Sequence, residues 1–311
     1  MSTDYSVSEK EDSWRIIYRG KTKISVFRLF PGILLGYNQI ETYELPLAPF
    51  SSFFRSAIGL RINFSLGGIC EIRTKKGDYI YVKGRHLSIS SDSAARGFSY
   101  PTGFYTGIEL YIEEEAMAKK PHEFDPFGID FSAIISGCLR HHSTLSSDIH
   151  SEFSPIIQAL QDLLGQGSPD THLLRLYCLL VLRMLSSGAV ALHPEPISIL
   201  TPRQVECAKT ACNILTDRMD SRVTIRELAA QLAIGESSLK NWFHAVYGKS
   251  ISEYRRDLRI TAAKRLLVNS DLSIFEIAGM TGYENQAKFT AMFHKYCGCT
   301  PTVFRRTHGA D

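Results

Sequence analysis

The chain has few of the features that mark membrane, secreted or enzymatic proteins. No apolar run approaches the roughly 18 residues that a membrane span needs, and the longest candidate, Leu173–Leu185, is interrupted by Arg175 and Arg183. The opening stretch Met1–Lys10 is polar and acidic, unlike a signal peptide. Cysteine is sparse and odd in number, with seven residues at 70, 138, 178, 207, 212, 297 and 299. That is no disulfide framework, and reduced thiols are the natural reading. Membrane and secreted classes fall away, and a cytoplasmic location is expected. Catalytic signatures are also missing. No glycine-rich phosphate loop leads into a Lys-Ser/Thr pair, and there is no Gly-x-Ser-x-Gly elbow. A metal-dependent barrel needs several strand histidines, whereas the β-rich stretch has one, His86. His141, His142 and His150 fall in a polar stretch expected to face solvent. Cys297-x-Cys299 lacks both the two-residue spacing and the second ligand pair of a zinc site. No metal, cofactor or catalytic residue is expected.

What is present divides into two halves. A length of 311 residues suggests two domains. Residues 201–308 carry 16 Lys/Arg against 10 Asp/Glu, net +6, while residues 1–200 carry 19 against 21, net −2. The basic half suits an anionic partner. From 14 to about 117 the pattern is β. Short runs at Ile24–Phe30, Ile33–Tyr37, Leu60–Leu66, Ile69–Thr74, Tyr79–Val82, Leu87–Ser90 and Tyr105–Ile112 suggest a small barrel or sandwich. Gly67-Gly68 reads as a two-residue hairpin turn. From about 122 to 187 the period is helical, notably in Phe153–Leu164 and Leu173–Leu185. The second is apolar around most of its circumference. It is either a buried helix or half of a dimer interface, with Leu173, Leu176 and Leu180 as the candidate contacts. Residues 191–200, with Pro194 and Pro196, read as a linker.

The last third is helical and heavily punctuated. Four capping boxes are predicted: Thr201 with Gln204, Thr224 with Glu227, Ser250 with Glu253, and Ser273 with Glu276. Three carry hydrophobic staples, pairing Leu200 with Val205, Val223 with Leu228 and Leu272 with Ile277. Residues 224–256 and 273–306 are one unit written twice. Thr224, Ile225, Glu227, Leu228 and Ala229 match Ser273, Ile274, Glu276, Ile277 and Ala278 at an offset of 49. After one inserted residue, Leu239, Phe243, His244, Gly248 and Tyr254 match Phe289, Phe293, His294, Gly298 and Phe304 at 50. Each unit, about 224–247 and 273–297, reads as a capped helix, a turn and a second amphipathic helix. That is the helix-turn-helix arrangement, whose second helix enters a DNA major groove.

Spacing assigns the faces of the second helices. Leu239, Trp242, Phe243 and Val246 form the expected buried stripe of the first, and Phe289, Met292, Phe293 and Tyr296 that of the second. Ser237, Lys240, Asn241 and His244, with Ser238, are then candidate readers of base edges in the first. The matching positions of the second, Ala287, Thr290, Ala291 and His294, are small and have little polar reach, with Asn285, Gln286 and Lys288 flanking. The two readers are therefore expected to be unequal. Lys249, Arg255, Arg256, Arg259, Arg305 and Arg306 are the candidate phosphate contacts. A long helix begun at Ser250 would hold the two units apart, one for each of two successive major grooves of double-stranded DNA.

These motifs resemble the AraC/XylS family of bacterial transcription regulators. The resemblance covers about 201–308 and is tightest over Gly282-Tyr283-Glu284, Phe289, Phe293-His294-Lys295-Tyr296, Gly298-Cys299-Thr300-Pro301 and Phe304-Arg305. It implies a two-unit DNA-binding domain that activates transcription through RNA polymerase, often as a dimer. It also implies an α+β chain whose residues 1–190 form a cupin-like sensor or dimerisation domain. Ala291 stands where many members have a basic residue, and His294 where Lys is usual. Arg61, Arg73, Tyr79, Tyr81 and His86, within or beside strands, are the candidate contacts for a small-molecule effector. A cupin-type enzyme with a DNA-binding tether and an effector-independent DNA binder are the rival readings.

Overall fold

The structure is a computed structural model, and it describes residues 5–10, 12–45, 53–91, 95–119, 122–139, 144–149, 151–166, 168–188, 190, 192, 198–221 and 223–308. His141, His142, His150, Pro194 and Pro196 lie outside the described residues. Two compact units divide the chain, residues 1–199 and 200–311.

The N-terminal unit is built on antiparallel strands: β1 (Tyr5–Lys10), β2 (Ser13–Tyr18), β3 (Thr22–Phe30), β4 (Ile33–Ile40), β5 (Ile58–Thr74), β6 (Tyr79–Lys83), β7 (His86–Ser90), β8 (Ala95–Ser99), β9 (Tyr105–Glu113) and β10 (Thr144–Asp148). One sheet runs in the order β1-β2-β3-β4-β9-β5-β7-β10. The second half of β5 pairs instead with β6 and β8. The expected hairpin at Gly67-Gly68 is not made. The strand continues straight through, and the pair is absorbed as a register shift against β9 between Ser65 and Gly67. Gly68 sits at φ +77°, and a Cβ there would collide with the Phe104 carbonyl. The glycines thus permit a bulge and a close backbone approach, which is why a turn-like dipeptide lies inside a strand.

The two faces of this sheet bury different chemistry. One carries Phe27, Leu29, Ile33, Leu35, Leu60, Ile62, Phe64, Leu87, Ile89, Ile108, Leu110 and Ile112. It packs against the helical layer of α1 (Glu114–Ala118), a 3₁₀ turn at His122–Phe127, α2 (Phe131–Cys138), α3 (Ser154–Leu164) and α4 (Thr171–Ser187). Phe124, Phe153, Leu174, Val181 and Leu182 are fully enclosed there, so apolar burial supplies the driving force. On the opposite face the order along β4 is Leu34, Gly36, Asn38, Ile40. Apolar clusters form around Leu34 and around Ile40, and polar groups lie between them. The stretch expected to be helical from about 122 also holds β10, which pairs with β7. Its sequence, Thr-Leu-Ser-Ser-Asp, has no period that announces a strand.

Among the described residues the C-terminal unit is built of helices from Pro202 onward: α5 (Pro202–Asp217), α6 (Ile225–Gln231), α7 (Glu236–Tyr247), α8 (Ile251–Asn269), α9 (Ile274–Met280), α10 (Gln286–Cys297) and α11 (Pro301–His308). Thr201, Thr224, Ser250 and Ser273 each form a reciprocal capping box, starting α5, α6, α8 and α9. The hydroxyl accepts from a first-turn amide that lacks a helical partner, and the Gln or Glu accepts from the cap residue's own amide.

Candidate nucleic-acid interface

Helices α6 and α7 form the first helix-turn-helix, and α9 and α10 the second. Their turns are superimposable in hydrogen bonding. Ala233 N–H donates to Ala230 O and Ile234 N–H to Ala229 O, as Gly282 N–H donates to Gly279 O and Tyr283 N–H to Ala278 O. Each turn needs one left-handed residue, Ala233 at φ +52° and Gly282 at φ +76°. Alanine pays a steric penalty there that glycine does not. Ala233→Gly is therefore expected to stabilise the C-terminal unit by about 0.5–1 kcal/mol. Gly282→Ala should destabilise it, because the new Cβ would lie 2.5 Å from Arg259 Nη2 and 2.6 Å from Met219 O. Opposite signs in thermal melts of the two variants check this, and equal signs would refute it.

The single inserted residue of the repeat, Glu284, falls just after these turns, and the cap positions that follow differ between the two units. Helix α7 starts at Gly235 with no side-chain cap, whereas α10 starts at Asn285, whose Oδ1 accepts from Lys288 N–H at 2.8 Å. Asn285 Oδ1 is thus engaged by the helix start, while the residue itself is exposed.

On α7 the buried stripe is Leu239, Phe243 and Val246 with Trp242 half-buried, while Ser237, Lys240, Asn241 and His244 are exposed on the other side. Ser238 is half-buried and lies off that face. Lys240 Nζ sits 3.7 Å from Glu236 Oε2, one turn back, a loose exposed pair that water or a ligand can replace. On α10, Phe289 and Phe293 are fully buried and Met292 is half-buried. Tyr296 departs from the expected stripe. It is 43% exposed and lies under Arg256, whose guanidinium carbon is 4.3 Å from the ring centre. Gln286, Ala287, Thr290, Ala291, His294 and Thr300 line an open, shallow depression along the outer face of α10. Thr300 was not among the expected residues; its one sequence signal is its place before Pro301 at the start of α11. Lys288 Nζ is paired with Glu284 Oε2 at 2.6 Å.

The candidate phosphate cations separate into two sorts. Arg306 is exposed, and Lys249 is exposed but paired with Asp257 Oδ2 at 2.6 Å. Arg259 instead donates to Met219 O at 3.0 Å and Ser221 O at 3.1 Å. Arg305 donates to Leu267 O and Leu272 O. Each closes open carbonyls on the chain that leads into a helix-turn-helix, so these two guanidinium groups are committed to the fold. Arg255 is half-buried with Nε enclosed, and burial pulls its guanidinium below its ordinary value. Burial raises the Tyr283 phenol, opposed by Arg259 and Arg256. Glu227, Glu253 and Glu276 are held below the usual carboxylate range by their hydrogen bonds to Thr224, Ser250 and Ser273.

The candidate effector contacts in the N-terminal unit are dispersed. Arg73 is exposed. Tyr79 is half-buried. Tyr81 is buried, with its OH donating to Glu71 Oε2 at 2.5 Å. His86 Nε2 lies 3.5 Å from Asp148 Oδ1. Only Arg61 belongs to the polar band between the two apolar clusters. Its Nη1 is 4.0 Å from Glu109 Oε2, and Asn38 Nδ2 donates to Glu109 Oε1 at 2.9 Å. Tyr105 OH donates to Asn63 Oδ1 at 2.9 Å. Burial would lower the Arg61 guanidinium, but Glu109 together with Tyr111, Cys70 and Tyr105 offsets it and holds it above its ordinary value. Burial and then Glu109 push the Tyr105 and Tyr111 phenols well up. Asn38, Asn63 and Glu109 were missed by the sequence reading. Their signal was present, since Arg61, Asn63 and Ser65 alternate along one strand.

A family profile described as "Helix-turn-helix domain" matches residues 228–307, spanning α7 and α10. Among curated relatives, the transcriptional activator RhaR of Cronobacter sakazakii is 35% identical over 116 residues, 37% of this chain and 41% of its own. The arabinose operon regulatory protein of Escherichia coli is 30% identical over 155 residues, 49% of each chain. The C-terminal unit belongs to the AraC/XylS family. The chain spans about half or less of the length of these two relatives. Among solved structures, the C-terminal domain of AraT, a response regulator from Geobacillus stearothermophilus, is 25% identical, with 34% of this chain covering 88% of that one at a TM-score of 0.33. The profile match runs from within α6 through α10 and into α11. Among the described residues, no helix is long and apolar enough to cross a membrane.

Proposed function

We propose that this chain is a sequence-specific DNA-binding transcription regulator, and not an enzyme, that activates through RNA polymerase in response to a small molecule or partner bound by the N-terminal unit. The observation that carries it is the outward face of α7, where Ser237, Lys240, Asn241 and His244 are all exposed around a fully buried Leu239–Phe243–Val246 stripe. Lys and Asn read guanine and adenine edges. The small residues Ala287 and Ala291 suit thymine methyl groups instead, so the first reader carries most of the direct discrimination. In selections from random duplexes, Lys240→Ala should relax preference at one or two positions, costing about 1–3 kcal/mol against the wild-type site. Ala291→Arg should add preference in the second box. A selected sequence unchanged by Lys240→Ala would sink this assignment.

The N-terminal unit is read as the cupin-like sensor and dimerisation half. Its polar band around Arg61, Asn63 and Glu109 offers both charges and two amides to a small polar effector, which a thermal-shift screen of the full chain would detect. Leu173, Leu176 and Leu180 support dimerisation through α4, since they are 40%, 57% and 44% exposed along one side of the helix. Leu176→Asp is expected to convert a dimer to a monomer in sedimentation, and a monomeric wild type would contradict the assignment.

A further inference from the structure

Helix α8 carries Arg256 and Arg259 three positions apart, so both side chains leave the same side of the helix. Each meets a tyrosine of the second helix-turn-helix. The Arg256 guanidinium lies 4.3 Å from the Tyr296 ring centre, and that of Arg259 lies 5.7 Å from Tyr283. Each also reaches back to the first. Arg256 Nη2 is 3.2 Å from Asp257 Oδ1, and Asp257 Oδ2 holds Lys249 Nζ at 2.6 Å, two residues beyond the end of α7. Arg259 holds Met219 O and Ser221 O, on the segment entering the Thr224 cap. Gly282, at the second turn, is packed against this same guanidinium and the Met219 carbonyl. Tyr296 has no counterpart in the first unit. At the repeat offset of 50 its position is Val246, which is fully buried. The second reading helix therefore departs from the repeat at the residue that Arg256 covers.

We propose that Arg256 and Arg259 form a strap that fixes the separation and rotation of the two reading helices, and thereby sets which spacing between the two DNA boxes is accepted. They are positioning residues, not phosphate contacts. The inference rests on the DNA-reading role proposed above. Adding one base pair between boxes turns the second by about 34° and moves it about 3.4 Å. A strapped pair of readers cannot follow that change, whereas readers joined by a bare helix end adjust more readily.

The test is binding of the full chain to duplexes bearing its selected site, at the selected spacing and with one base pair added or removed, over a salt series. Wild type should favour the selected spacing. Arg256→Ala and Tyr296→Ala should each reduce that preference about threefold to tenfold, the range of a partly exposed cation–ring contact, and leave the salt slope unchanged. Tyr296→Phe keeps the ring and should keep the preference. Arg259→Lys keeps the charge, loses the paired carbonyl bonds, and should relax spacing like the alanine variants. If Arg256→Ala instead weakens binding equally at every spacing and lowers the salt slope by about one, Arg256 is a phosphate contact and the strap is wrong. Unchanged spacing preference in both alanine variants also overturns it. A wild type without any sequence preference would remove the DNA-reading proposal and the strap together.

Discussion

Glu109→Ala is expected to destabilise the N-terminal unit by about 3–5 kcal/mol, the cost of breaking a buried ion pair from one side. Glu109 is 7% exposed, accepts from Asn38 and faces Arg61, whose side chain is itself 15% exposed. Removing the carboxylate leaves the largely buried guanidinium and the buried Asn38 amide without their partner. Replacing both partners should be far milder, since Arg61→Met with Glu109→Leu leaves no uncompensated charge. Urea unfolding of the single and double variants measures the difference. A Glu109→Ala loss under about 1 kcal/mol would show that the pair is already hydrated and that the band is not a closed polar layer.

The second large effect concerns the C-terminal unit. Phe243→Ala and Phe293→Ala each delete a fully buried ring at equivalent places in the repeat. Phe243 lies 4.6 Å from the Tyr247 ring and 5.4 Å from Tyr254, and Phe293 lies 5.7 Å from Phe289 and 5.4 Å from Phe304. In each case the ring locks the reading helix to the helix that follows it. The expected loss is about 3–5 kcal/mol apiece, enough to abolish sequence-specific binding at concentrations that saturate wild type. Phe243→Leu, which fills most of the space, should cost much less. Thermal unfolding and duplex titration of the three variants check this. Binding retained by both alanine variants would mean that these rings do not set the reading helices.

How much of this was legible in the sequence depended on whether the signal was local. The four capping boxes were, because cap, first turn and staple lie within five residues of one another. The two reading helices were as well, since a 3.6-residue period sets Phe243 on the opposite side from Asn241 without outside help. Gly67-Gly68 misled because a glycine pair marks a bulge as readily as a turn, and only the approach of Phe104, just before β9, decides between them. Tyr296 sits at a stripe position, but its burial depended on what packed over it, and that was a charged side chain from α8. Arg259 and Arg305 read as phosphate cations because their carbonyl partners lie 33 to 40 residues away along the chain. The polar band was visible as alternation on β5 but not as a cluster, since Asn38 and Glu109 come from β4 and β9.

One chain is proposed to read two successive major grooves through α7 and α10. Hydroxyl-radical footprinting of the full chain on a selected duplex tests it most directly. Two protected patches on one face, centred about 10–10.5 base pairs apart, with Lys240→Ala weakening contacts at one of them, are predicted. A single patch, or even protection without sequence preference, would contradict it.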